Sequence, residues 1–220
     1  MRNLIMFSSF FSDDYLKEEV VHMAPKGKDS KVVIIPSFSE FRPVEEMSKY
    51  HIFKDLGFNN IVMYDVCFFF DENCDISDAD VIFLGGGNTW LFRFLLKKHN
   101  MFSFLQNFVT NGGLLIGESA GSIMMCDKID IAKFADEDIV GDRACDGLGV
   151  FHDIVKPHSQ SWYHEFDKFL DFSNLYPDKR LYMIEDGMCL IVKDDDISFY
   201  GKDYYPFVIK EGKACYDFEI

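Results

Sequence analysis

The first half of the chain repeats one pattern: an apolar run of strand length ends in small or turn residues, and helix-spaced residues usually follow. The runs are NLIMFSS (3–9), KVVIIPS (31–37), NIVMYDV (60–66), ADVIFLG (79–85) and GLLIGES (113–119). Helical spacing is present in DDYLKEEVVHMA (13–24), where Leu16, Val20 and Met23 share one side and Pro25 and Gly27 end the segment. PVEEMSKYHIFKDLGF (43–58) opens on proline and closes at Gly57. NTWLFRFLLKKHN (88–100) and MFSFLQNFVTNGG (101–113) follow, and AGSIMMC continues as helix from the fifth run. Parallel strands need long crossovers, which helices supply. The order therefore predicts a three-layer α/β fold, with a mostly parallel sheet covered by helices on both faces. In the second half, 147–158 and 180–186 read as strands around a helix near 161–172. MCLIVKDD, DISFYG, PFVIKEG and KACYDF then read as an antiparallel meander, with the acidic run 193–196 as a solvated hairpin turn. No linker, repeat or low-complexity tract divides the sequence, so one domain over 1–220 is expected.

Charge narrows the partners. The 37 acidic and 22 basic residues give a net charge of −15. Such a surface repels phosphate backbones and anionic membranes, so neither nucleic acid nor a membrane is expected as a partner. Nor is this an acidic disordered tail, because 48% of residues are hydrophobic and 24 are phenylalanine. The N-terminal MRNLIMFSSFF imitates a leader but lacks a small-residue cleavage site and reads as a buried first strand. No apolar stretch is long enough to span a bilayer. The six cysteines form no C-x-x-C pair; Cys67 and Cys74 flank a short run and could bridge, but reduced thiols of a cytoplasmic protein are the expectation.

Sheets of this kind hold their ligands beyond the carboxyl ends of strands. That directs attention to Ser37–Phe41, Gly85–Asn88 and Glu118–Ser122. The last contains Gly117-Glu118-Ser119-Ala120-Gly121, a G-x-S-x-G between an apolar strand and an apolar helix. A serine on that sharp turn projects its hydroxyl at the top of the sheet, and its flanking glycines let strand and helix pack closely. The Ala120 amide is a ready oxyanion donor at a helix N-terminus. The plain alternative is a tight turn of small residues.

A serine nucleophile needs a base. His22, His51 and His99 lie in or at the end of predicted helices, His152 sits within a predicted strand, and His164 lies on a predicted amphipathic helix. His158 follows Pro157 beyond a strand end, where a base for Ser119 must stand. The imidazole needs an acceptor to fix its tautomer, and Glu185 and Asp186 at another strand end are the candidates. Adjacent residues point to opposite sides, and sequence leaves the choice open. Gly85-Gly86-Gly87-Asn88 can present backbone amides without Cβ obstruction. No G-K-[ST] follows, so it is not a P-loop, and Trp90 breaks the dinucleotide-binding spacing.

GGGNT (85–89), GESAGS (117–122) and KPHS (156–159) together resemble the motifs of the alpha-aspartyl dipeptidase (dipeptidase E) family of serine peptidases. The wider family includes cyanophycinase. The resemblance implies a class I glutamine amidotransferase-like (flavodoxin-like) fold and the chain order serine, histidine, acid. It implies Ser119 as nucleophile, His158 as general base and acid, and Asp186 as the third residue, where the family usually has Glu; Glu185 stays as the alternative. It also implies Gly87 and Ala120 as the oxyanion hole, with Gly86 the alternative donor. Asn88 and Trp162 are candidate substrate-binding residues, and Trp162 can equally belong to a packing helix. The family holds its aspartyl side chain with an arginine after the histidine. Here SQSWYHEFDKF occupies that region, with no arginine between Arg143 and Arg180. The expected function is serine-dependent hydrolysis of a small peptide or amide that is not acidic, without metal or organic cofactor, by a monomer or homodimer. The alternative is a non-enzymatic binding module on the same fold. A glutamine amidotransferase would carry cysteine at the elbow, whereas an esterase remains compatible with it.

Overall fold

The computed structural model describes residues 2–10, 14–37, 42–67, 74–201 and 207–215. Residues 38–41 of one predicted strand-end loop, the run 68–73 and the end of the last predicted strand lie outside them. Five parallel strands are β1 (Asn3–Phe7), β2 (Lys31–Ile35), β3 (Asn60–Met63), β4 (Val81–Leu84) and β5 (Leu114–Glu118). Helices α1 (Asp14–Met23), α2 (Arg42–Asp55), α3 (Thr89–Lys98), α4 (Met101–Thr110) and α5 (Ala120–Met125) are interspersed. After a short strand β6 (Ile154–Lys156) come α6 (Phe166–Ser173), β7 (Leu181–Met183), β8 (Met188–Lys193), β9 (Asp196–Gly201), β10 (Phe207–Lys210) and β11 (Lys213–Cys215).

The main sheet has the order β3-β2-β4-β5-β1-β8-β9. The first strand of the chain thus lies inside it, parallel to β5 and antiparallel to β8. Strand alternation divides the core. Ile5, Phe7, Val32, Ile34, Phe83 and Ile116 face α1 and α2, which contribute Leu16, Val20 and Phe53. Leu4, Met6, Val33, Ile35, Leu84 and Leu115 face the other way, onto Phe92, Leu96, Leu105 and Met124 of α3, α4 and α5. Both faces of β1, β2, β4 and β5 are buried, as continuous apolar runs require, whereas the edge strand β3 is partly exposed.

The antiparallel C-terminal strands divide between two sheets. The β8–β9 hairpin extends the main sheet, whereas β10 and β11 join β7 and β6 in a second sheet of order β11-β10-β7-β6. The predicted strand 147–158 shrinks to β6. Upstream of it, Leu148, Gly149, Val150 and Phe151 turn their amides onto the carbonyls of Met124, Cys126 and Met125 at the end of α5. Those carbonyls have no acceptor role left inside the helix, and Gly149, at φ +68, allows the chain to bend over them. His152 is therefore on an exposed loop, beside Asp127, not in a strand. The predicted helix near 161–172 begins as a 3-10 segment, Ser159–Glu165, that carries His164. All six cysteines are free thiols, so Cys67 and Cys74 are not bridged. Among the described residues no helix is long and apolar enough to cross a membrane.

Candidate active site

Strand β5 delivers Ser119 on a strained turn. Its backbone sits at φ 49 and ψ −110, outside the comfortable regions for a residue with a Cβ. The amide of Ser119 donates to the Phe7 carbonyl at 3.0 Å, and the Ser122 hydroxyl donates to the same oxygen at 2.7 Å. These two bonds fasten the turn to the end of β1. Gly121 makes the turn possible: a Cβ there would lie 2.1 Å from the Leu84 carbonyl oxygen. Ala120 opens α5, so its amide belongs to the first-turn donors without an acceptor inside the helix.

His158 follows β6 and Pro157, in the left-handed region at φ 55. Its Nε2 lies 3.0 Å from Ser119 Oγ and its Nδ1 2.6 Å from Asp186 Oδ1. The carboxylate next to Nδ1 favours the tautomer with the proton there, leaving Nε2 free to accept from the serine hydroxyl. Of the two neighbouring acids, it is Asp186 that meets the ring. Burial pushes the Glu185 carboxyl up, helped by the negative charge of Asp186. For Asp186 burial also acts upward, but hydrogen bonds from Ser8, His158 and Ser9 and the charge of His158 outweigh it, leaving the carboxyl below its ordinary range.

Two further residues, absent from the candidates that the sequence offers, complete this arrangement. Ser8 Oγ accepts the His158 backbone N–H at 2.8 Å and donates to Asp186 Oδ1 at 2.7 Å. Gln160 brackets the same carboxylate, donating from Nε2 to Oδ2 at 2.6 Å and accepting the Asp186 amide at 3.2 Å. Ser8 had a legible signal, since it ends the first apolar run and strand ends carry the sites of such sheets. Gln160 had none, because only the fold brings the 3-10 segment against Asp186.

Gly86, Gly87, Ser8, Ser9, Lys49, Glu118, Ser119 and His158 surround a pocket of about 250 Å³. Gly87 has φ 138, a conformation that glycine tolerates best. Asn88 does not line this pocket; its Oδ1 caps α3 by accepting from Leu91 N, and its Nδ2 donates to the Glu137 carbonyl. Trp162 packs edge-on to Phe169, 6.5 Å between ring centres. The buried Lys156 lies beside both rings, its Nζ 5.4 Å from the Trp162 and 5.9 Å from the Phe169 ring centre, and donates to the Pro157 carbonyl at 2.6 Å. Burial drives its ammonium down to about 8, against the attraction of Asp136 and Asp186. The pocket does hold a cation, Lys49 on α2, but it is paired with Glu118 at 2.6 Å. Glu118 also accepts the Phe10 amide at 2.8 Å. Phe10 is fixed by the rings of Phe7, Phe53 and Phe83, at centroid distances of 4.8, 5.6 and 5.0 Å. Among the described residues no cluster of side chains suits a metal ion.

Known proteins share this chain's sequence and architecture. Peptidase E of Nostoc sp. is 26% identical over 174 residues, 75% of this chain and 69% of that protein. Peptidase E of Haemophilus influenzae is 23% identical over 225 residues, 96% of this chain and all of that one. Among solved structures, a proposed Peptidase E protein from Listeria monocytogenes superposes with a TM-score of 0.70 at 21% identity, covering 91% of this chain and 98% of its own. A peptidase from an acI-B1 actinobacterium gives 0.65 at 15% identity, covering 99% and 97%. Both structures share the fold. The family model of peptidase family S51 matches residues 4–200, and the chain belongs to that family of serine peptidases.

Proposed function

We propose that this protein hydrolyses a small peptide or amide through an acyl-enzyme on Ser119. The observation that carries the reading is the continuous contact from Ser119 Oγ through the His158 ring to Asp186, at 3.0 and 2.6 Å. Ser119 Oγ attacks the substrate carbonyl carbon while its proton passes to His158 Nε2. The oxygen of the tetrahedral adduct is held by the amides of Gly87 and Ala120, with Gly86 the alternative donor. The C–N bond then breaks, and the leaving amine takes the proton from Nε2. Water attacks the acyl ester, gives its proton to Nε2, and Ser119 recovers it as the acid product departs. Asp186 holds the ring and its transient positive charge, without itself taking the proton. No step calls on a metal or organic cofactor.

A purely binding role would not require a base at hydrogen-bond distance from a strained serine, so the geometry favours hydrolysis. Labelling by a fluorophosphonate probe tests it. Wild type is expected to be labelled and Ser119→Ala not. Wild type that stays unlabelled beside a labelled control hydrolase sinks the proposal.

A further inference from the structure

We propose that the Lys49–Glu118 ion pair selects the acyl-side residue of the substrate, favouring a primary carboxamide such as asparagine over aspartate or lysine. The inference rests on the hydrolase reading and adds the substrate class. Its starting point is the residue x of the G-x-S-x-G turn. Glu118 immediately precedes Ser119, and both side chains converge on Gly86. A Cβ placed on that glycine would stand 3.4 Å from Ser119 Cβ and 3.8 Å from Glu118 Cγ. The wall beside the nucleophile is what the acyl-side residue meets.

Lys49 and Glu118 are only 16% and 14% exposed, both line this pocket, and they are paired with each other. Such a pair carries no net charge, yet it displays an ammonium donor beside a carboxylate acceptor. A substrate carboxylate would accept from Lys49 but press its negative charge on Glu118. A substrate ammonium would donate to Glu118 but face Lys49. A carboxamide meets both, its oxygen accepting from Lys49 and its NH2 donating to Glu118. Juxtaposed like charges withdrawn from water are costly, so either ion is disfavoured against the neutral donor–acceptor group. The volume of about 250 Å³ accommodates a short side chain.

The test compares kcat/KM for Asn-Leu, Asp-Leu, Lys-Leu and Ala-Leu, with fluorophosphonate labelling of each protein alongside. Wild type is expected to favour Asn-Leu over Asp-Leu and Lys-Leu by at least about tenfold. Glu118→Gln releases the Lys49 ammonium and should raise the Asp-Leu to Asn-Leu ratio by at least about tenfold. Lys49→Met should instead raise the Lys-Leu to Asn-Leu ratio. Ratios within one variant cancel any loss of rate common to all substrates, and the wild-type panel stands even where a variant fails to fold. Wild type that is labelled but prefers Asp-Leu, prefers Lys-Leu or cleaves none of the four overturns the inference and leaves the hydrolase reading intact. So does Glu118→Gln lowering all four equally, the result expected if Glu118 held the substrate's α-ammonium. Wild type that is not labelled overturns both.

Discussion

Ser8 ties His158 to Asp186 with one oxygen, accepting from the His158 backbone and donating to Asp186. Gln160 holds the other carboxylate oxygen. Asp186 is thus restrained from three sides, the histidine included, although nearly half its side chain remains exposed. An aspartate is one methylene shorter than a glutamate, and these bonds fix it where the shorter reach suffices. Adjacent Glu185 has no such company around the ring. Asp186→Asn should therefore lower kcat by about 10³- to 10⁴-fold, the scale of losing the carboxylate behind a catalytic imidazole. Glu185→Gln should stay within about threefold of wild type. Steady-state assays on one dipeptide decide it, and equal losses from the two substitutions would show the assignment to be wrong.

At the scale of elements, the meeting of β4, β5 and α5 is the tightest requirement of the site. Gly117 and Gly121 are the positions where helix and strands touch by backbone: a Cβ on Gly117 would stand 2.7 Å from the Gly121 carbonyl carbon. Gly121→Ala forces the elbow away from Leu84, and should cost about 3 kcal/mol in denaturant unfolding, the upper end for overpacking. Gly112→Ala is the comparison. It has φ +89 and open space around it, so only the backbone penalty of about 1–2 kcal/mol is expected. Similar losses for both would show that close packing is not what the elbow glycine provides. The parallel strands, the elbow, His158 and the glycine loop were legible because each writes a local signal: an apolar run, a small-residue turn, a proline stop. What escaped depends on distant partners. Apolar character gives 147–158 the pattern of a strand, but the amides of 148–151 are drawn to the open end of α5. The two C-terminal hairpins have similar patterns and still join different sheets. Lys49 carries no signal in sequence, because only the fold pairs it with Glu118, and Asn88 spends its side-chain oxygen on capping α3, a use that depends on where that helix starts.

For the whole molecule, pH reads the balance between burial and charge. Lys156 titrates at about 8 in the fold, below the ordinary lysine value of 10.5. The unfolded chain therefore binds the proton more tightly, and between about pH 8 and 10.5 this group adds stability as pH rises. Below pH 8 the lysine is protonated in both states and its contribution stays constant. Unfolding free energy of wild type relative to Lys156→Met should thus climb across that window and be flat beneath it; a flat difference throughout would contradict the buried lysine. The placement of β1 inside the main sheet has another consequence, in the time before the fold is complete. β1 must pair with β8, nearly two hundred residues later in the chain, and His158 and Asp186 arrive only after β6 and β7. Contacts so distant in sequence form late. While a ribosome is still making the chain, Ser119 emerges ahead of His158 and Asp186, so the contact from serine through imidazole to carboxylate can close only near the end of synthesis.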